Sequence, residues 1–187
     1  VGTTIELATT AGNIIVDHVY PTDWDTNTQD DNISLLSSGS ISEPAFISTT
    51  GLLRTTSTTG TTLGGANLVG TFNATNTGAG ATGNILFNNT ANPLVITGIS
   101  NTVSGGSDTV TNAGAISITG TIAANAGAVG LQATTVAGSI TETGGLVNTS
   151  GTLTTQSVAG QGLGGANTVG TFNATNTGAG ATGNILF

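Results

Sequence analysis

The sequence predicts an all-β chain wound as a parallel β-helix, a β-solenoid of stacked coils made of short strands. Three observations predict it. The stretch at 63–87, LGGANLVGTFNATNTGAGATGNILF, returns at 163–187 with one change, Leu68 to Thr168. Internal repetition decides architecture before any single residue does. Triplets of the form Gly-x-apolar run from Gly12 to Gly183, and their spacing recurs: the steps Gly51 to Gly70 to Gly83 return as Gly151 to Gly170 to Gly183. Finally, the 187 residues hold 30 Gly, only 4% aromatic and 5% charged residues. An ordinary soluble domain is about 25% charged, and a core of large side chains cannot be built here.

Residues 1–38 read as N-terminal coils of a different character. Residues 1–43 hold seven of the nine carboxylates, namely Glu6, Asp17, Asp23, Asp25, Asp30, Asp31 and Glu43, with the only His, Trp and Tyr. A soft boundary falls near residue 38, and 39–187 reads as the repeat solenoid with a period of about 100 residues. Similarity reaches behind the matched blocks: 46–62 aligns with 146–162, and Gly39–Glu43 with Gly138–Glu142, one position out of step. Short alternating runs such as AISIT at 115–119 and TLTT at 152–155 read as strands, and Gly-Asn-Ser clusters as turns. No helical period with caps is sustained.

A solenoid satisfies this pattern because its interior is narrow and takes Ile, Val, Leu, Ala and Thr, while Gly turns the corners. The apolar members Ile85, Ile116, Ile122, Ile140, Leu153 and Ile185 are expected inward, and Phe72 and Phe172 at equivalent sites. With about 20 residues to a coil, a unit of about 100 makes about five coils. At about 4.8 Å per coil it is about 24 Å long. The alternative is a tandem array of immunoglobulin-like β-sandwiches, which needs a bulkier two-sheet core.

Composition also excludes partners. A net charge of −8, with Arg54 the one basic residue, opposes nucleic acid and anionic lipid. No run of about 18 apolar residues reads as a membrane helix. The absence of Cys fits a secreted protein that does without disulfides.

The sharpest chemical motif is the acidic loop Asp23-Trp24-Asp25-Thr26-Asn27, followed by Asp30 and Asp31. Oxygens at alternate positions can fold toward one hard cation, so Asp23, Asp25, Asn27, Asp30 and Asp31 are candidate calcium ligands. Thr28 and Ser34 depart from the EF-hand pattern. The plainer reading is a solvated insertion projecting from the first coils. Tyr20 and Trp24 beside it are candidate contacts to a glycan or a surface; the plainer reading is packing at a core edge. His18 has no metal or triad partners. Glu43 and Glu142 fall at equivalent repeat positions, one per repeat, whereas a glycosidase needs two carboxylates about one bond. The glycines of the matched blocks lack the strand–loop–helix context of a phosphate cradle and read as turns. No catalytic constellation and no cofactor other than calcium is expected. Asn73 and Asn173 suit glycosylation, or an amide ladder if Asn recurs on adjacent coils.

The stretches GNILFNNTANPLVITG, NAGAISITGTIAANAG and AGSITETGG resemble the repeat regions of filamentous-haemagglutinin-type exoproteins, which bacteria secrete through an outer-membrane partner. The resemblance covers 39–187. The Asn-Pro-Asn motifs of that family's secretion domain are missing, since Asn92-Pro93 is the only Asn-Pro. It implies a right-handed β-helix on the bacterial cell surface, serving as fibre, stalk or adhesin. The expected function is therefore structural: an extracellular fibre or adhesin stalk, without enzyme activity, whose partners are further repeats or other copies of the same fibre. The alternative is a carbohydrate- or surface-binding adhesin module that uses the loop at 20–31. A polysaccharide-cleaving β-helix and an ice-binding surface are weaker readings.

Overall fold

The computed structural model describes residues 4–19, 32–78, 83–178 and 183–187. They form a β-solenoid of about seven turns, with eighteen strands and no helix. Every strand pairing among them is parallel. Sandwiches joined by a linker are not what the chain forms.

The strands fall into three columns. β1 (Thr4–Thr9), β2 (Ile14–Ile15) and β3 (His18–Val19) start them. β4 (Asn32–Ser37) lies on β1, and β5 (Ile41–Ser42) on β2. β6 (Phe46–Ser57) lies on β3 with its first half and on β4 with its second, so it bends round a corner. β7 (Thr61–Asn76) runs over β5 and then β6, and is covered by β8 (Ile85–Asn89) and β9 (Leu94–Asn101). β10 (Asp108–Asn112), β11 (Ile116–Ile118) and β12 (Thr121–Ala124) follow, then β13 (Val129–Ala133), β14 (Ile140–Glu142) and β15 (Leu146–Ser157). β16 (Gln161–Gly162), β17 (Thr168–Asn176) and β18 (Ile185–Leu186) lie last. The described strands ahead of Gly39 pair in register with the repeat part, Ile5 on Ile33 and Ile33 on Leu53.

The Gly-x-apolar triplet has a steric cause. Its third residue points inward: Ile85, Ile116, Ile122, Ile140 and Leu153 are wholly buried, and so is Phe72. Ile185 stacks on the buried Gln161, in line with Ile140 below it, and is 43% exposed. The glycine is needed where the chain rounds a corner directly over the turn below. A Cβ on Gly70 would lie 2.1 Å from the Thr50 carbonyl oxygen, and one on Gly127 1.8 Å from that of Gly106. Neither glycine has a positive φ. The constraint is space rather than conformation.

Turns and repeats do not divide evenly. One inward column runs Thr61, Ile85, Asp108, Val129, Leu153, so four turns carry the chain from Thr61 to Leu153. Gln161, the counterpart of Thr61, lies one column further on, over Ile140 and Ile116. One repeat thus makes about 4⅓ turns, not five, and at the parallel spacing adds about 21 Å. The second copy is displaced by one column. β6 bends from the third column into the first, whereas its counterpart β15 bends from the first into the second. Phe72 and Phe172 keep equivalent local partners, on Leu53 and Leu153, and stack on Phe87 and Phe187 at 4.0 and 3.9 Å. They occupy different columns, and only Phe72 is fully buried.

The corner rule predicts unequal costs for one substitution. Gly127→Ala should lower stability by about 1–3 kcal/mol through overpacking against backbone. Gly64→Ala, which meets nothing within 4 Å, should stay within about 0.5 kcal/mol of the parent. Urea denaturation of the two variants checks this; equal losses would contradict the steric account.

Candidate functional site

The candidate calcium ligands Asp23, Asp25, Asn27, Asp30 and Asp31, with the candidate contacts Tyr20 and Trp24, lie outside the described residues. His18 pairs through its backbone with Phe46. Among the described residues no group of three or more His, Asp or Glu stands together. What the structure does bring together is a set of buried amides and carboxylates at the corners.

One corner stacks Asn67, Asn89 and Asn112 on successive turns. All three are buried. The Asn67 Oδ1 accepts the Ile47 N–H at 2.6 Å, and the Asn89 Oδ1 accepts that of Val69 at 2.8 Å. The Asn89 Nδ2 donates to the Val69 carbonyl at 3.0 Å and to the Asn112 Oδ1 at 3.1 Å. Each amide stands in for the backbone partner that the chain loses as it turns. A buried N–H or C=O left unpaired costs about 1–3 kcal/mol, so asparagine, with a donor and an acceptor, suits the corner. The ladder therefore forms where Asn recurs on adjacent turns, and Asn73 is not part of it. Asn73 reaches only the Thr97 hydroxyl at 3.3 Å, in an exposed position.

Glu43 and Glu142 do equivalent work. The Glu43 Oε1 accepts the Gly65 N–H at 2.8 Å and the Asn67 Nδ2 at 2.7 Å. The Glu142 Oε2 accepts the Gly165 N–H at 2.6 Å and the Asn167 Nδ2 at 3.0 Å. Each carboxylate pins a Gly-Gly-Ala-Asn stretch in the next turn, and each has its other oxygen buried without a partner. Desolvation raises the pKa of Glu43 above the ordinary carboxylate value, against the lowering effect of Asn67 and Gly65. The two are held in separate turns, each by its own bracket.

At the opposite corner Asn76 and Asn101 stack, and both donate to the Gly83 carbonyl at 2.9 Å. Asn176 repeats this bond to Gly183 at 2.7 Å. Asn101 also donates to the Asp108 carboxylate at 2.9 Å. Asp108 is 1% exposed. Its acidity is visible in sequence, but its burial is not: DTVTN alternates like any exposed-start strand.

The surface offers shallow grooves. One of about 430 Å³ is lined by Ser100, Thr102, Ala123, Asn125, Asn148 and Ser150, all neutral. Another of about 480 Å³ lies beside Glu142 and the Gly144, Gly145, Gly164 and Gly165 backbone. Neither brings two ionisable side chains together. The chemistry on view is hydrogen bonding that locks turn to turn.

That reading sets an expectation for Asn67→Ala. It strips partners from the Ile47 N–H and the Glu43 carboxylate, so stability should fall by about 1–3 kcal/mol for each group left unpaired. Asn73→Ala should change it by no more than about 0.5 kcal/mol. Urea midpoints compare them directly, and an Asn67→Ala protein as stable as Asn73→Ala would remove the ladder's role. Compared with protein-family models, curated proteins and solved structures, the chain matches none of them.

Proposed function

We propose that this chain is a length of an extracellular structural fibre or adhesin stalk of a bacterial surface, extended by stacking further turns. The observation that carries the reading is the two-fold use of one coil. In the first copy Ile85 and Phe87 are buried, with Asp108 and Val110 of the next turn paired over them. The second copy sets the same residues in the same way, Ile185 and Leu186 stacking on Gln161 and Gly162 as Ile85 and Leu86 stack on Thr61 and Thr62, so one block serves at two places in a single stack. An unpaired parallel edge is a template for pairing, and a head-to-tail contact that does not close yields a filament. A block repeated for length supports a spacer, since a catalytic site gains nothing from a second copy. The resemblance to filamentous-haemagglutinin-type repeats supports the surface location.

Electron microscopy of the native material should show thin rods that lengthen by about 21 Å for each repeat. Denaturing electrophoresis separates the two ways of building them: a band near 18.1 kDa means stacked copies, and a very large band means one continuous polypeptide. Discrete particles in place of rods would overturn the proposal.

A second reading, a glycan- or surface-binding adhesin module, rests on the crowding of carboxylates with Tyr20 and Trp24 in residues 20–31. Calcium joins it through Asp23, Asp25, Asn27, Asp30 and Asp31, whose mutual repulsion a cation relieves. Binding heat on calcium titration and a higher melting temperature without chelator are the expected results. Loss of glycan-array binding on Trp24→Ala would favour the module over the plain fibre, and an array with no signal for the parent chain would remove it.

A further inference from the structure

The second column is ionisable at one inward position. Ile14, Ile41, Thr61, Ile85, Asp108, Val129, Leu153 and Phe172 succeed one another along it. Asp108 sits between Ile85 below and Val129 above, deep in the middle of the stack. Its Oδ1 accepts the Asn101 amide at 2.9 Å; its Oδ2 is buried with no partner. Asn101 cannot turn to serve both oxygens. Its Nδ2 also holds the Gly83 carbonyl at 2.9 Å, and its Oδ1 accepts from Asn76 and from the Val103 N–H, each at 3.3 Å. The elements packed against β10 are β8 (ILFNN), β9 (LVITGISN) and β13 (VGLQA). None contains an ionisable residue, and β10 itself contains only Asp108. No cation faces the carboxylate from any of them.

We infer that Asp108 is a proton-operated switch in the middle of the solenoid, packing its turn tightly when the carboxyl is neutral and loosening it on ionisation. A carboxylate with one neutral donor and no counter-charge is costly to bury, whereas a neutral carboxyl is not. Desolvation drives its pKa from the ordinary 3.8 up to about 7, the Asn101 hydrogen bond lowering it only in part. The folded state thus binds the proton more tightly than the unfolded chain. For a raised acid the stabilisation is complete below about pH 4, declines as pH rises toward 7, and is lost above that. A solenoid adds turn to turn, so weakening one turn loosens the stack locally on both sides of it.

The test compares the full chain with Asp108→Asn from mildly acidic to mildly alkaline pH. The parent's melting temperature should fall by several degrees more than the variant's as pH rises from about 5 to above 7. Taking the difference removes Glu43 and the exposed carboxylates, which both proteins share. Hydrogen exchange of the amides at 108–112 should quicken with pH beyond the intrinsic rate in the parent alone. Should Asp108→Asn fail to fold, the carboxyl carbon resonance of Asp108 in the parent decides, with a midpoint near 7 expected. A midpoint at the ordinary carboxylate value, or identical pH slopes in parent and variant, overturns the inference.

Discussion

Every turn of this protein must trace the backbone of the turn below it, because parallel hydrogen bonding between turns admits one spacing, about 4.8 Å. That constraint reaches each residue type in the chain. Where the path is straight, strands pair and alternate side chains fill a narrow interior with Ile, Leu and Val. Where it bends, the carbonyl of the turn below comes so close that a Cβ cannot fit, as at Gly70 over Thr50 and Gly127 over Gly106. At those corners glycine is a consequence of stacking.

Bending also breaks the backbone ladder, and the corner asparagines restore it. Asn67, Asn89 and Asn112 form one such series, Asn76 and Asn101 another. Burying these amides is tolerated because each donates or accepts across turns, although the Asn76 Oδ1 is left without a partner; the paired amides make the polar interior cooperative along the axis. Glu43 and Glu142 extend the device to a carboxylate that takes two donors from the turn above. Asp108 shares with Glu43 and Glu142 one oxygen that is buried without a partner. It differs in holding a single donor where each of them holds two.

The mismatch between repeat and turn shapes the surface. Because one repeat makes about 4⅓ turns at the parallel-strand spacing, near-identical sequences meet different neighbours: β6 stands on β3 and β4, β15 on β12 and β13. Local contacts survive the displacement. The stacked pair Phe72–Phe87 returns as Phe172–Phe187, and the Ile47-to-Asn67 bond returns as Val147 to Asn167. Contacts within one turn and to the turn below belong to the repeat, while the column they occupy belongs to the whole stack.

By itself the sequence determined the strands, the inward member of each Gly-x-apolar triplet, and the solenoid, since these follow from local alternation and from the small residues a narrow interior accepts. It showed that Glu43 and Glu142 are equivalent. It did not show that each reaches into the following turn to pin a loop, at Gly65 and at Gly165, or that the ladder runs through Asn67 and Asn76 in place of Asn73. Those depend on which residues meet across turns, and the advance per turn is not constant: the step from Leu153 to Phe172 is shorter than the step from Val129 to Leu153. Corner length sets that advance, and it differs from turn to turn. The burial of Asp108 and the displacement of the second repeat by one column were decided by the stacking, because each is a relation between turns rather than a property of any segment.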